Sequence, residues 1–147
     1  MALQGRFESD SDIDAEAITW CKENFPAFAQ FWQNSEWPPL PFGDARFDLI
    51  YSVSVFTHLP EDMQLAWLAE LCRVAKPDAW VLLTIHGSEL LPSSHSEATE
   101  QMASGGYAYH RGETTDGLPD FYRTAWHSES YIRSVWGRFL EVEKIAK

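Results

Sequence analysis

Two runs dominate the pattern of apolar and polar positions. FDLIYSVSV (47–55) and AWVLLTIHG (79–87) are apolar almost throughout and rich in β-branched and aromatic residues. That is the composition of strands buried on both faces. Between them lies EDMQLAWLAELCRVA, where Leu65, Leu68, Cys72 and Ala75 share one helical face and Trp67, Leu71 and Val74 widen it. Pro60 suits the first helical position, and Glu61 and Asp62 suit the positive end of the helix dipole. KPDA stops the helix. Strand, helix, strand with both strands apolar predicts a βαβ unit and a parallel sheet.

The flanks are weaker. GRFESDSD (5–12) predicts a short strand, followed by a helix capped by Asp14 in which Ile18, Cys21 and Phe25 form a stripe. FAQFWQ (28–33) reads as a further strand, and NSEWPPLPFGDA as a proline-rich connection. Residues 88–120 form a variable segment, polar and punctuated by glycine; a short helix near 95–103 or a mobile lid is expected there. Ser128 caps a helix, ESYIRSVW, that Gly137 ends. FLEVEKIA (139–146) alternates and predicts an exposed strand. The fold class expected is α/β, a three-layer sandwich around a mostly parallel sheet, in one domain spanning 1–147.

Charge narrows the partners. The formal net charge is −11 with no compensating basic run, which disfavours nucleic acid. No apolar stretch approaches the roughly 20 residues of a membrane span, and the N-terminus has no apolar signal region, so a cytoplasmic location is expected. Cys21 and Cys72 form no CxxC pair and read as two buried reduced thiols. Seven Trp suggest a pocket or an oligomer. The five histidines show no HxxxH or HExxH spacing, so no metal site is expected. His86 closes a strand at its carboxyl end and acts either as a base or orienter or as a solvated residue; His58, before a helix, reads as structural. There is no GxSxG elbow for a hydrolase.

The order of SDIDAEAI, LPFGDARFDLIYSVSVFTHLP, LAELCRVAKPDAWVLLTIHG and FYRTAWHSESYIRSVWGRFLEVEKI resembles the class I S-adenosylmethionine-dependent methyltransferases from about Ser11 to Ile145. The resemblance implies a Rossmann-like fold. It places Asp12 where the family's acid accepts hydrogen bonds from the cofactor ribose, or else Asp12 is a helix cap. It places Asn34 near the adenine, where a turn asparagine is the alternative. Ser52, Val53 and Ser54 then end the strand lying against the cofactor. His86, Tyr109, His110, Tyr122 and Trp126, with Tyr107, fall in the family's substrate-facing segments and line either a small-molecule pocket or an interface. No catalytic residue is named, because methyl transfer is an in-line displacement driven by positioning.

The sequence also departs from the family. It has no Gly-x-Gly loop, the family's first strand is missing, and Asp78 and Ala79 stand where glycines are usual. A truncated fold of this kind leaves edges that self-association or a strand-sharing dimer would cover. Weak or absent S-adenosylmethionine binding by the chain alone is the resulting expectation. The alternative is a non-catalytic remnant that binds a small ligand or another protein.

Overall fold

The computed structural model describes residues 9–110 and 119–146. The chain divides into two compact units, Met1–Phe42 and Gly43–Lys147.

In the first unit, β1 (Ser9–Asp12) pairs in parallel with β2 (Gln30–Gln33), Asp12 lying opposite Gln33. The helix α1 (Ala15–Asn24) joins them. Asp14 caps it as expected, its Oδ1 accepting the backbone N–H of Glu16 at 2.8 Å and of Ala17 at 3.1 Å. The predicted stripe is thinner than expected: Ile18 is buried, Cys21 half-buried and Phe25 exposed. The part of the first predicted strand before residue 9 lies outside the described residues.

In the second unit, β3 (Phe47–Ser52), α2 (Glu61–Val74) and β4 (Ala75–Leu83) form the expected βαβ unit, with β3 and β4 parallel. Pro60 is the N-cap residue of α2, one position before the helix proper. Register jumps from Phe47↔Ala75 to Leu49↔Trp80, so residues 76–79 bulge out of the ladder. Asp78, where the family has glycine, holds a left-handed backbone with φ 65°.

The strands depart from the expectation of burial on both faces. Leu49, Tyr51, Trp80 and Leu82 are 50, 52, 60 and 57 % exposed. They alternate with half-buried Ile50, Val81 and Leu83, which pack on the core of Phe56, Leu68, Leu71, Tyr131, Ile132 and Trp136. One face of this sheet is therefore packed and the other is apolar but exposed. The run 79–87 is also not one strand. It breaks at Thr84, and β5 (His86–Gly87) joins a different sheet.

That third sheet has the order β5-β7-β6, with β7 (Thr124–His127) parallel to β5 and antiparallel to β6 (Tyr107–His110). The helix expected near 95–103 is α3 (Ser96–Gly105). It ends on Gly106 at φ 74°, where a Cβ would run into Ser128 Oγ. Residues 111–118 of the variable segment lie outside the described residues.

The last helix, α4 (Glu129–Val135), starts at Ser128, whose Oγ accepts the Tyr131 N–H at 3.1 Å. The strand expected over 139–146 does not form. Phe139, Leu140, Val142 and Ile145 instead lay their side chains on the core, and the alternation serves packing without a ladder. Cys72 is half-buried, its Sγ 2.7 Å from the Phe139 carbonyl, and burial raises its pKa. Among the described residues, no helix is long and apolar enough to cross a membrane.

Candidate functional site

In the first unit, Asp12 and Asn34 come together at the carboxyl ends of β1 and β2. The Asn34 N–H donates to the Asp12 carbonyl at 3.0 Å. The Asp12 carboxylate is exposed and accepts the Asp14 N–H through Oδ1 at 2.8 Å. Among the described residues Oδ2 accepts no hydrogen bond, so that side of the carboxylate faces solvent. The Asn34 amide donates to the Ser35 carbonyl at 2.8 Å, which leaves its Oδ1 as an acceptor.

In the second unit, Ser52, Val53 and Ser54 turn the chain out of β3. Ser54 adopts φ 58°, and its N–H donates to Thr84 Oγ1 at 2.7 Å. The Thr84 N–H donates to the Ser52 carbonyl at 3.1 Å. Val53 is exposed. Thr84 therefore fixes the end of β3 by two bonds, in the place where parallel sheets receive ligands.

The turn that follows, Phe56 to Leu59, is saturated with hydrogen bonds. Its four carbonyls all accept. Phe56 takes one amide hydrogen of Gln64 at 3.1 Å and Leu59 takes the other at 2.9 Å. Thr57 takes the Ala125 N–H at 2.8 Å, and His58 takes the Arg123 N–H at 3.2 Å. Leu59 also accepts the Tyr107 hydroxyl at 3.1 Å.

Because Gln64 spends both amide hydrogens on carbonyls, its Oε1 faces His127 Nε2 at 2.9 Å, and that nitrogen must carry the proton. Burial pushes the His127 pKa down to about 4, so the ring is neutral at pH 7. Burial beside Tyr131 raises the Tyr107 pKa. The Tyr131 pKa is raised too, first by burial and then by its 2.7 Å hydrogen bond to Glu61.

Most of the residues expected to face a substrate gather on the β5-β7-β6 sheet. His86 lies opposite Trp126, Tyr109 opposite Ala125 and His110 opposite Thr124. The Tyr122 ring stacks on His58 with centroids 4.1 Å apart, and His58 meets His86 edge-on at 6.2 Å. His95 stacks on His110 at 4.2 Å and meets Trp126 at 5.8 Å. Tyr109 is occupied otherwise: its hydroxyl donates to the Phe121 carbonyl and its N–H to Gln101 Oε1.

Two members of this cluster, His58 and His95, were not legible as such. Their signal lies in tertiary pairing, which spacing along the chain does not carry. Among the described residues, no group of three or more His, Cys, Asp or Glu side chains is placed to hold a metal ion.

This architecture has known counterparts. A SAM-dependent methyltransferase from Methanosarcina mazei matches with a TM-score of 0.61 at 20% identity, covering 85% of this chain and 64% of its own. The chain thus spans under two thirds of that protein's length. The YcgJ protein from Bacillus subtilis matches at 0.49 and 20% identity over 66% of this chain and 43% of its own, too slight a likeness to carry an argument. The family model described as a methyltransferase domain matches residues 4–83, more than half of the sequence, and the chain belongs to that family.

Proposed function

We propose that this chain is an S-adenosylmethionine-dependent methyltransferase-like protein that holds the adenosyl part of its cofactor at the carboxyl ends of β1 and β2. The observation that carries the reading is the Asp12–Asn34 pair, set side by side at the strand ends within the matched family region. A carboxylate with one oxygen facing solvent accepts from a ribose hydroxyl, and the Asn34 Oδ1 accepts from an adenine amino group. In the second unit, Ser52, Val53 and Ser54 are the proposed cofactor contacts, presented by a strand end that Thr84 braces.

The donor set fits the adenosine end of the molecule. The sequence has no Gly-x-Gly segment at which backbone could close on the methionine end, so binding by the chain alone should be weak. Saturation-transfer NMR with S-adenosylhomocysteine tests the reading. The adenine and ribose protons should receive saturation from the protein, and Asp12→Ala should remove it. Saturation that persists in Asp12→Ala would refute the assignment.

A second reading is favoured by a different observation, the exposed apolar face of Leu49, Trp80 and Leu82. On this reading the chain is a protein-interaction module whose first partner is a second copy of itself, a homo-oligomer. Sedimentation velocity across a concentration series distinguishes a self-associating chain from a monomer.

A further inference from the structure

His58 is held in a way that exposes chemistry its sequence position does not suggest. Its Nδ1 lies 2.6 Å from the Arg123 carbonyl oxygen, which can only accept. Nδ1 therefore carries the proton, and in the neutral ring Nε2 is a bare lone pair. A backbone carbonyl fixing one imidazole nitrogen so that the other is basic is the usual means of setting a histidine tautomer.

The backbone around it is equally fixed. The His58 N–H donates to the Val55 carbonyl at 2.9 Å and its own carbonyl accepts from Arg123. The ring is half-buried, with Tyr122 stacked on one side, His86 at its edge, and Trp126 beyond His86 at 6.4 Å. The His86 Nδ1 is buried without a hydrogen-bond partner among the described residues. The titratable groups facing His58 are thus His86 and Tyr122, with Arg123 following in the chain; among the described residues no carboxylate pairs with its ring.

From this geometry we infer that His58, His86 and Tyr122 form a binding face for a planar ligand bearing a hydroxyl group, with His58 Nε2 accepting the hydroxyl hydrogen. The rings favour a flat ligand by stacking and edge contact. The lone pair selects a donor, and without a carboxylate partner His58 does not favour a cation. The inference deepens the methyltransferase reading and rests on it only for the transfer step. In that step the ligand oxygen attacks the methyl carbon of the sulfonium donor. The carbon–sulfur bond breaks with its electron pair on sulfur, and the hydroxyl proton passes to His58 Nε2, leaving an imidazolium.

Binding is tested apart from transfer, on the full chain with 15N-labelled histidine. Long-range proton–nitrogen spectra should show neutral His58 protonated on Nδ1. Titration with catechol should shift its Nε2 resonance saturably, and cyclohexanol should not. His58→Gln should weaken catechol binding roughly tenfold. Tyr109→Phe, off this face, should leave it unchanged. An Nε2-protonated tautomer would overturn the inference. So would the absence of a saturable shift in a folded sample, an equal response to cyclohexanol, or unchanged affinity in His58→Gln. Catechol binding without S-adenosylhomocysteine saturation would leave this face standing and defeat the methyltransferase reading; the converse result would do the opposite.

Discussion

The end of β3 and its outer face obey opposite rules. At the end, every carbonyl from Phe56 to Leu59 has a donor, supplied by Gln64, Tyr107 and the strand β7. On the outer face, Leu49, Tyr51, Trp80 and Leu82 lie exposed with no polar alternation to excuse them. The contrast separates two requirements of a fold. Backbone polar groups must be satisfied within the chain or by water, and here a single buried glutamine does much of that. Apolar surface can be left for a later association. The saturated end is thus suited to holding a site rigid, and the outer face to meeting another surface.

The sharpest way to break the contrast is at Gln64, which is fully buried. Gln64→Leu would strand the Phe56 carbonyl and the His127 Nε2–H, while Leu59 keeps the Tyr107 hydroxyl. The expected loss is about 3–5 kcal/mol, read from the urea midpoint. A change within error would mean the network is not a structural requirement.

The same network predicts an acid dependence. His127 is depressed to about 4 from a model value of 6.5, so between these values the unfolded chain binds more protons than the folded one. Stability therefore rises with pH across this window and is lost as pH falls through it, by about 3 kcal/mol in all. His127→Phe, although less stable at pH 7, should show a flatter slope between pH 6.5 and 4.

The outer face is probed by Trp80→Glu. If the face mediates self-association, the dimerisation constant from sedimentation velocity should fall by about tenfold or more, with little change in the urea midpoint. Equal association by wild type and variant would remove the face from consideration.

The smallest effect is expected at Asp78. Its left-handed backbone strains a residue with a Cβ, and Asp78→Gly should stabilise by about 0.5–1 kcal/mol despite the added freedom of the unfolded chain. Destabilisation would indicate that the aspartate side chain contributes more than the strain costs.

The βαβ unit was legible because the helical period of EDMQLAWLAELCRVA and the apolar runs beside it agree at every level. The caps at Asp14 and Ser128 were legible for the same local reason. Burial of the strands on both faces was not, because a run such as FDLIYSV states what a strand could bury and not what surface is available to cover it. The lost strand at 139–146 is the converse case: its alternation was read as pairing, and the core claimed the apolar residues directly. Gln64 hid among apolar neighbours, since a polar residue inside a helical stripe shows its role only when its partners, 63 positions away at His127, are in place. Of the site, Asp12 and Asn34 were named from resemblance, and the structure sets them side by side. His58 was underrated because its tautomer depends on a carbonyl 65 residues away.

Titration calorimetry of the full chain with S-adenosylmethionine tests the central claim most directly. The account predicts weak binding, with Kd of about 0.1–1 mM, that Asp12→Ala weakens to below detection. Micromolar affinity, or binding indifferent to Asp12→Ala, would contradict it, and a flat titration for the wild-type chain would leave only the interaction-module reading.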